Sequence, residues 1–329
     1  MDKVLMSHGG GGSMMQSFIS EIFIEKFNNE YLNQMEDAAL LPGKTVFTTD
    51  SFVVKPVFFP GGDIGRLAIC GTVNDISMRG AKPLFLSASF IIEEGFPVDD
   101  IKKIVDSMVD AANEAGVQIV TGDTKVVEKN SADGIFINTA GIGILPDGAY
   151  VSIKNGEPGD VVIVSGTIGD HGMAVMGARE GLDFDPPLFS DVSPLNKMVQ
   201  KLMTLKDAVK ILRDPTRGGV AEVLYEIASM SNVGIKIHED KLPVKESVKS
   251  ACSMLGIDFL HLANEGKLIC VVDKDFAYKA LEIMKGDKYG KDAAIIGEID
   301  DSGLVTIETV YGTNRIIDRP IGELLPRIC

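Results

Sequence analysis

Asn74-Asp75-Ile76-Ser77-Met78-Arg79-Gly80-Ala81 closes a segment, residues 65–80, that reads as a helix. Asp75 has Gly71 and Thr72 one helical turn before it, so a bulky ligand can approach that face closely. Two further aspartates sit at element ends or on Gly-flanked faces: Asp50 in Thr48-Thr49-Asp50-Ser51, and Asp123 in Thr121-Gly122-Asp123-Thr124-Lys125. Taken singly, each is accounted for as an N-cap or a turn residue. As a set they suit magnesium, which prefers oxygen ligands and is shared between carboxylates and the oxygens of a triphosphate. The run His8-Gly9-Gly10-Gly11-Gly12-Ser13 can present successive backbone amides to phosphate, and Lys125 can add a point charge; a floppy leader explains the same glycines. Nothing matches GxxxxGK[ST], and Gly166, Gly169 and Gly172 lack the GxGxxG spacing, which argues against a nicotinamide enzyme.

Outward from these motifs, apolar spacing predicts a helix over 14–27, a strand over 45–55, a β-rich run over 83–92 and an amphipathic helix over 99–115. In the last, Ile101, Ile104, Val105, Met108, Val109, Ala112 and Ala115 fall on one face, an aspartate caps the start and Gly116 takes the left-handed C-terminal position. Strands follow over 117–121 and 135–145, ending in the turn Pro146-Asp147-Gly148, and Asn155-Gly156-Glu157-Pro158-Gly159 reads as a linker. Beyond it come strands over 160–165, 234–237, 268–273, 293–298 and 305–310, mixed with helices. The expected division is a first domain over 1–150, a second over 151–311 and a tail over 312–329.

With 329 residues, 45% hydrophobic and 24% charged, the chain can bury two ordinary cores. Its 47 acidic against 32 basic residues give a formal charge of -15, unfavourable for nucleic acid or an anionic membrane, so a polyanionic ligand must be met locally. Cys70, Cys252, Cys270 and Cys329 form no CxxC pair and no zinc spacing, and Met1-Asp2-Lys3 lacks a signal-peptide pattern. A reducing cytoplasm is the expected location. The three internal cysteines read as core residues. Cys329, in Pro326-Arg327-Ile328-Cys329, suggests a carrier arm: from Pro320 an extended backbone reaches about 30 Å. A residue without consequence is the other reading.

Asn74 to Ala81, Gly122-Asp123-Thr124 and Asp214-Pro215-Thr216-Arg217-Gly218-Gly219, in this order, resemble the PurM-like superfamily of ATP-using enzymes related to aminoimidazole ribonucleotide synthetase, which includes selenophosphate synthetase and thiamine monophosphate kinase. With Ser7-His8-Gly9-Gly10-Gly11-Gly12 and the Pro326–Cys329 end, the chain is similar to the HypE family of hydrogenase maturation factors, which are carbamoyl dehydratases. The resemblance implies an α+β, two-domain PurM-like architecture: an N-terminal α/β domain whose sheet builds a homodimer, a C-terminal α+β domain and a flexible tail. It implies ATP between the domains, Mg2+ and phosphates on Asp50, Asp75 and Asp123, nucleotide contacts from Thr124, Thr216 and Arg217, and the Gly9, Gly10, Gly11, Gly12 loop closing over the triphosphate. Cys329 would carry a carbamoyl group to be dehydrated to a thiocyanate. Glu265, in Ala263-Asn264-Glu265-Gly266-Lys267, is the first candidate base, then Lys125 and His8; taken alone, Glu265 before Gly reads as a solvated turn residue. His171 is a secondary candidate for substrate or phosphate contacts, while His238 and His261 read as structural. Implied partners are the carbamoyltransferase HypF and the HypC–HypD iron scaffold. A selenophosphate synthetase-like enzyme would need a reactive Cys near the amino end, and none precedes Cys70; a noncatalytic scaffold would bind ATP without turnover.

Overall fold

The structure, a computed structural model, describes residues 3–319, 322, 325 and 327–329. Met1, Asp2, Pro320 and Pro326, used above to define the two ends, lie outside the described residues. Helix α1 (Gly12–Ile19) continues through a wider turn over Ser20–Ile24 into α2 (Glu25–Phe27). After β1 (Ala39–Leu41) and β2 (Thr45–Phe52), a short hairpin of β3 (Phe58–Phe59) and β4 (Gly62–Asp63) leads into α3 (Ile64–Met78). Asp63 caps α3 by accepting from the Gly65 and Arg66 amides at 2.7 and 3.0 Å. β5 (Lys82–Glu93), α4 (Val98–Ala115), β6 (Gln118–Val127) and β7 (Ile135–Ile144) complete this half.

Its sheet runs β1-β2-β7-β5-β6, with only the β5–β6 pair parallel because α4 crosses between them. Strand alternation sets the faces. Val46, Thr48 and Phe52 turn inward toward α3, whereas Phe47, Ile142 and Phe85 form one cross-strand row on the other face, 40%, 42% and 43% exposed. Gly122 is required on β6: a Cβ there would lie 2.0 Å from the Ala88 carbonyl oxygen.

Two details of α4 depart from the sequence expectation. The cap position is Pro97, with no side-chain cap; Asp99 and Asp100 lie in the first turn, where they favour the helix dipole and pair with Lys102 and Lys103. The buried stripe is Ile104, Met108, Ala111, Ala112 and Ala115. Val105 and Val109 are exposed, because α4 packs mainly on α3.

The second half contains β8 (Val161–Val164), α5 (Asp170–Glu180), α6 (Asn196–Leu202), β9 (Val209–Arg213), α7 (Gly219–Ser231), β10 (Gly234–His238), α8 (Glu246–Leu255), β11 (Ile269–Val272), α9 (Ala277–Lys285), β12 (Ala294–Asp300), β13 (Val305–Glu308) and β14 (Asn314–Ile316). Its strands run β14-β13-β10-β12-β8-β11-β9. The central segments Val161-Val162-Ile163-Val164 and Ile269-Cys270-Val271-Val272 are apolar without alternation because both faces are covered. One face packs on α7, the other on α6 and α9.

α3 joins the halves. Asn74 Nδ2 donates to the Ser193 carbonyl at 3.1 Å, and its Oδ1 accepts from the Leu195 amide at 2.8 Å. Buried ion pairs Glu36–Arg79 and Asp37–Arg213 sit beside it, at 2.7 and 2.8 Å.

The segment expected as a flexible tail begins with strand β14 and is fixed again just beyond it. Ile317 is buried and its carbonyl accepts from Tyr225 Oη; Arg319 binds both Glu222 and Gln16, each at 2.7 Å. Its last described residues are docked as well, as set out next.

Candidate active site

Val53 to Lys55, just past β2, receives the end of the chain. The Val53 amide donates to a Cys329 carboxylate oxygen at 3.1 Å and the Lys55 amide to the Arg327 carbonyl at 3.2 Å, an antiparallel pairing. Between them, the Ile328 carbonyl lies 2.8 Å from His171 Nε2. A carbonyl only accepts, so Nε2 carries the proton and Nδ1 is left to accept from Ser190 Oγ at 2.8 Å. His171 is fully buried, and burial holds its pKa below the ordinary value. The structure thus ties His171 to the tail and to Ser190.

This docking puts Cys329 on the wall of a cavity of about 410 Å³, shared with His8, Gly9, Gly10, Ser51, Arg217, Gly218 and His261. The glycine loop fits closely: Gly11 has φ +84°, and a Cβ on it would lie 3.0 Å from the Arg217 backbone. His8 stacks on Phe18 with ring centroids 5.2 Å apart and accepts from the Leu5 amide at Nδ1, leaving Nε2 as its donor. The Cys329, Asp50 and Glu265 charges hold the Arg217 guanidinium firmly protonated, Cys329 contributing most.

Behind Arg217 lies a group of carboxylates. Burial, together with Asp214, Asp50 and Asp37, pushes Asp75 well above the usual carboxylate range. Burial raises Asp50 against the pull of Arg217, raises Asp37 strongly against Arg213, and brings Asp214 to about 6. Thr48 Oγ1 lies 3.0 Å from the Asp75 carboxylate. Glu265, 3% exposed, is also held well above its normal pKa by burial and by Asp214, Asp191 and Asp50, and its Oε1 has no hydrogen-bond partner among the described residues. Carboxylates that raise one another's pKa fit a cation that would replace their protons. Among the described residues no three His, Cys, Asp or Glu side chains form a metal cage, so such a cation would need phosphate or water oxygens as well.

Of the aspartates grouped from sequence, one chain brings together Asp50 and Asp75 but not Asp123. Asp123 is three strands away from β2, in register with Ser89 and Asn138 on the outward face, and pairs with Lys125 at 2.6 Å. Thr124 is exposed on the same strand, its amide donating to Asp123. The reason is topological: β7 and β5 intervene, and the register turns Asp123 away from α3. Thr216 and Arg217 belong to the loop leading into α7, and the Thr216 carbonyl accepts from the Gly219 amide. Asp37 and Asp214 join the carboxylates without having been selected from sequence. Asp214 opens the quoted Asp214–Gly219 motif, whereas nothing in the sequence singles out Asp37.

Two family models cover most of the chain: AIR synthase related protein, N-terminal domain, over residues 35–145, and its C-terminal domain over 157–309. The chain is also 47% identical over 331 residues to the carbamoyl dehydratase HypE of Azotobacter vinelandii, covering 99% of this chain and 97% of that protein. The chain belongs to the HypE family. Membership makes it an enzyme with the α+β, PurM-like fold described above. Among solved structures, the HypE–HypF complex matches with TM-score 0.91 and 72% identity, over 92% of this chain and 100% of that one. A HypE structure in complex with ATP matches with TM-score 0.84 and 44% identity, over 99% and 100%. Thiamine monophosphate kinase from Aquifex aeolicus, at 18% identity and TM-score 0.67, shares the fold.

Proposed function

We propose that this chain is an ATP-dependent carbamoyl dehydratase: a carbamoyl group carried as a thiocarboxamide on Cys329 is converted to a thiocyanate, which supplies cyanide to the iron of a nickel-iron hydrogenase. The observation that carries this reading is the seating of Cys329 beside Arg217, in a cavity bordered by the glycine loop. Amide oxygen is a poor leaving group, and transfer of the ATP γ-phosphoryl makes it a good one. Arg217, held cationic and lining the same cavity as Cys329, would stabilise the charge that develops on the carbamoyl oxygen and transferring phosphoryl. Asp50 and Asp75 would share Mg2+ with phosphate and water oxygens, with Asp214 and Asp37 adding negative charge nearby, and the ion would supply neutralisation of the triphosphate.

Glu265 is the best supported base. Its unpartnered Oε1 and raised pKa suit it to take a proton from the carbamoyl nitrogen. His8 offers an Nε2 donor at the cavity that Cys329 lines. Lys125, Asp123 and Thr124 keep their nucleotide roles only if a second copy brings its β6 to the cavity. A homodimer through the outward face of the first sheet would also cover Phe47, Phe85 and Ile142. HypF as carbamoyl donor is supported by the matching HypE–HypF complex; delivery to a HypC–HypD iron scaffold follows from the family's role in hydrogenase maturation. Location in the cytoplasm accords with Cys70, Cys252 and Cys270 standing outside any disulfide.

The test is the mass of the C-terminal peptide after incubation with the carbamoyltransferase, carbamoyl phosphate and magnesium, with and without ATP. A carbamoyl adduct on Cys329 that loses one water only with ATP is expected. An unmodified tail, with the transferase shown active, would overturn the reading.

A further inference from the structure

We infer that the groove holding Arg327-Ile328-Cys329 is a self-contained binding site for a three-residue peptide strand, so that the same segment is bound and processed when supplied in trans, by a free peptide or by a second copy of this chain. The processing half rests on the dehydratase reading; the binding half stands without it.

Recognition is complete within those three residues. The main-chain acceptors of all three residues are engaged: the Arg327 carbonyl by the Lys55 amide and by Arg179 Nη2 at 2.8 Å, the Ile328 carbonyl by His171, and a Cys329 carboxylate oxygen by the Val53 amide. The donors come from the sheet half and from α5, elements fixed by their own packing. Side chains add selectivity. Arg327 Nε donates to the Val53 carbonyl at 2.9 Å, its guanidinium pairs with Asp133 and lies 5.9 Å from the Phe136 ring, and Ile328 is 5% exposed inside the first core. None of these contacts requires covalent connection to Arg319. The groove therefore selects a cation two positions before the cysteine, a branched apolar residue one before it, and an extended backbone. A short tether raises the local concentration of its own tail to about the millimolar range, so a peptide in trans competes at that level when the tail is present and binds freely when it is removed.

The balanced reaction in trans is R–S–C(=O)NH2 + ATP giving R–S–C≡N + ADP + phosphate. The carbonyl oxygen leaves on phosphate, and both nitrogen protons are lost from the carbamoyl group.

The experiment uses the chain lacking residues 327–329 and a fluorescent peptide with the sequence of residues 322–329, followed by anisotropy. Saturable binding is expected, weakened at least tenfold by Ile328→Asp in the peptide and by a full-length chain whose own tail fills the groove. Peptide changes leave the protein's folding untouched; His171→Ala and a full-length Ile328→Asp chain, each checked by circular dichroism, give independent variants in which the groove is respectively weakened and emptied. No binding up to millimolar peptide, or binding indifferent to the Ile328→Asp change, overturns the site. The peptide carbamoylated on its cysteine is then mixed with the truncated chain, ATP and magnesium. Loss of one water from it supports processing in trans. Binding without that loss, while the full chain dehydrates its own tail, overturns the processing half. If the full chain also fails on its own carbamoylated tail, the dehydratase reading falls and the binding result remains.

Discussion

Asp75 sits where its charge is least favourable, closed in by protein and facing Asp214, Asp50 and Asp37. A carboxyl whose folded pKa is raised binds its proton more tightly in the folded chain, so its ionisation costs stability as pH rises above the unfolded value of about 3.9. Asp75→Asn keeps a partner for Thr48 and removes that cost. The expected result is an unchanged or higher melting temperature at pH 8, together with loss of ATP turnover; normal turnover would remove Asp75 from the nucleotide site. The cysteines give a second prediction. Burial pushes Cys70 and Cys270 up to about 12 and Cys252 to about 11, leaving each almost wholly protonated at pH 8. Limited alkylation of the native protein at pH 8, read by peptide mass, is expected to label Cys329 first. Asp50, Asp75 and Glu265 were legible in sequence because glycines or motif neighbours mark them. Asp37 was not, since its place depends on the distant Arg213, and His171 was selected without its actual partner, a carbonyl 157 residues away.

The elements followed from periodicity more fully than their ends did. β6 was expected to stop at 121; the ladder to β5 carries it to Val127. The same limit hid what secures α4 to the second half. Glu114, one residue before the end of α4, accepts from Arg66 at 2.8 Å and is also bonded by Lys288 and Tyr289. Burial pulls its pKa upward, but those three hydrogen bonds prevail and bring it to about 2. A depressed folded pKa contributes stability above the unfolded value near 4.3 that is lost as pH falls toward 2. Glu114→Gln is expected to lower stability at pH 7 by on the order of 2 kcal/mol and to flatten the acid limb of the stability curve. Urea titrations at pH 7, 4 and 3 check both; an unchanged slope would mean the cluster contributes nothing to holding α4 in place.

At the scale of the whole molecule, the first sheet leaves one face without a cover among the described residues of a single chain, and one row of that face is Phe47, Ile142 and Phe85. The strands themselves were expected from the sequence, but which of their faces packs on α3 was not, because that depends on the register between strands. Phe47→Asp places a charge in that row without touching the cavity. Sedimentation is expected to shift from dimer to monomer, and a variant that stays dimeric would locate the interface elsewhere. The fixing of Arg319 on Glu222 and Gln16 has a geometric consequence. Cys329 is ten positions further along the chain, so a fully extended backbone would carry its thiol no more than about 33–36 Å from that point once the docked residues were released. For an enzyme that loads the sulfur, as the proposed function requires, that reach would limit the depth of its entrance: a reaction centre recessed further would stay out of range however tightly the two surfaces adhere.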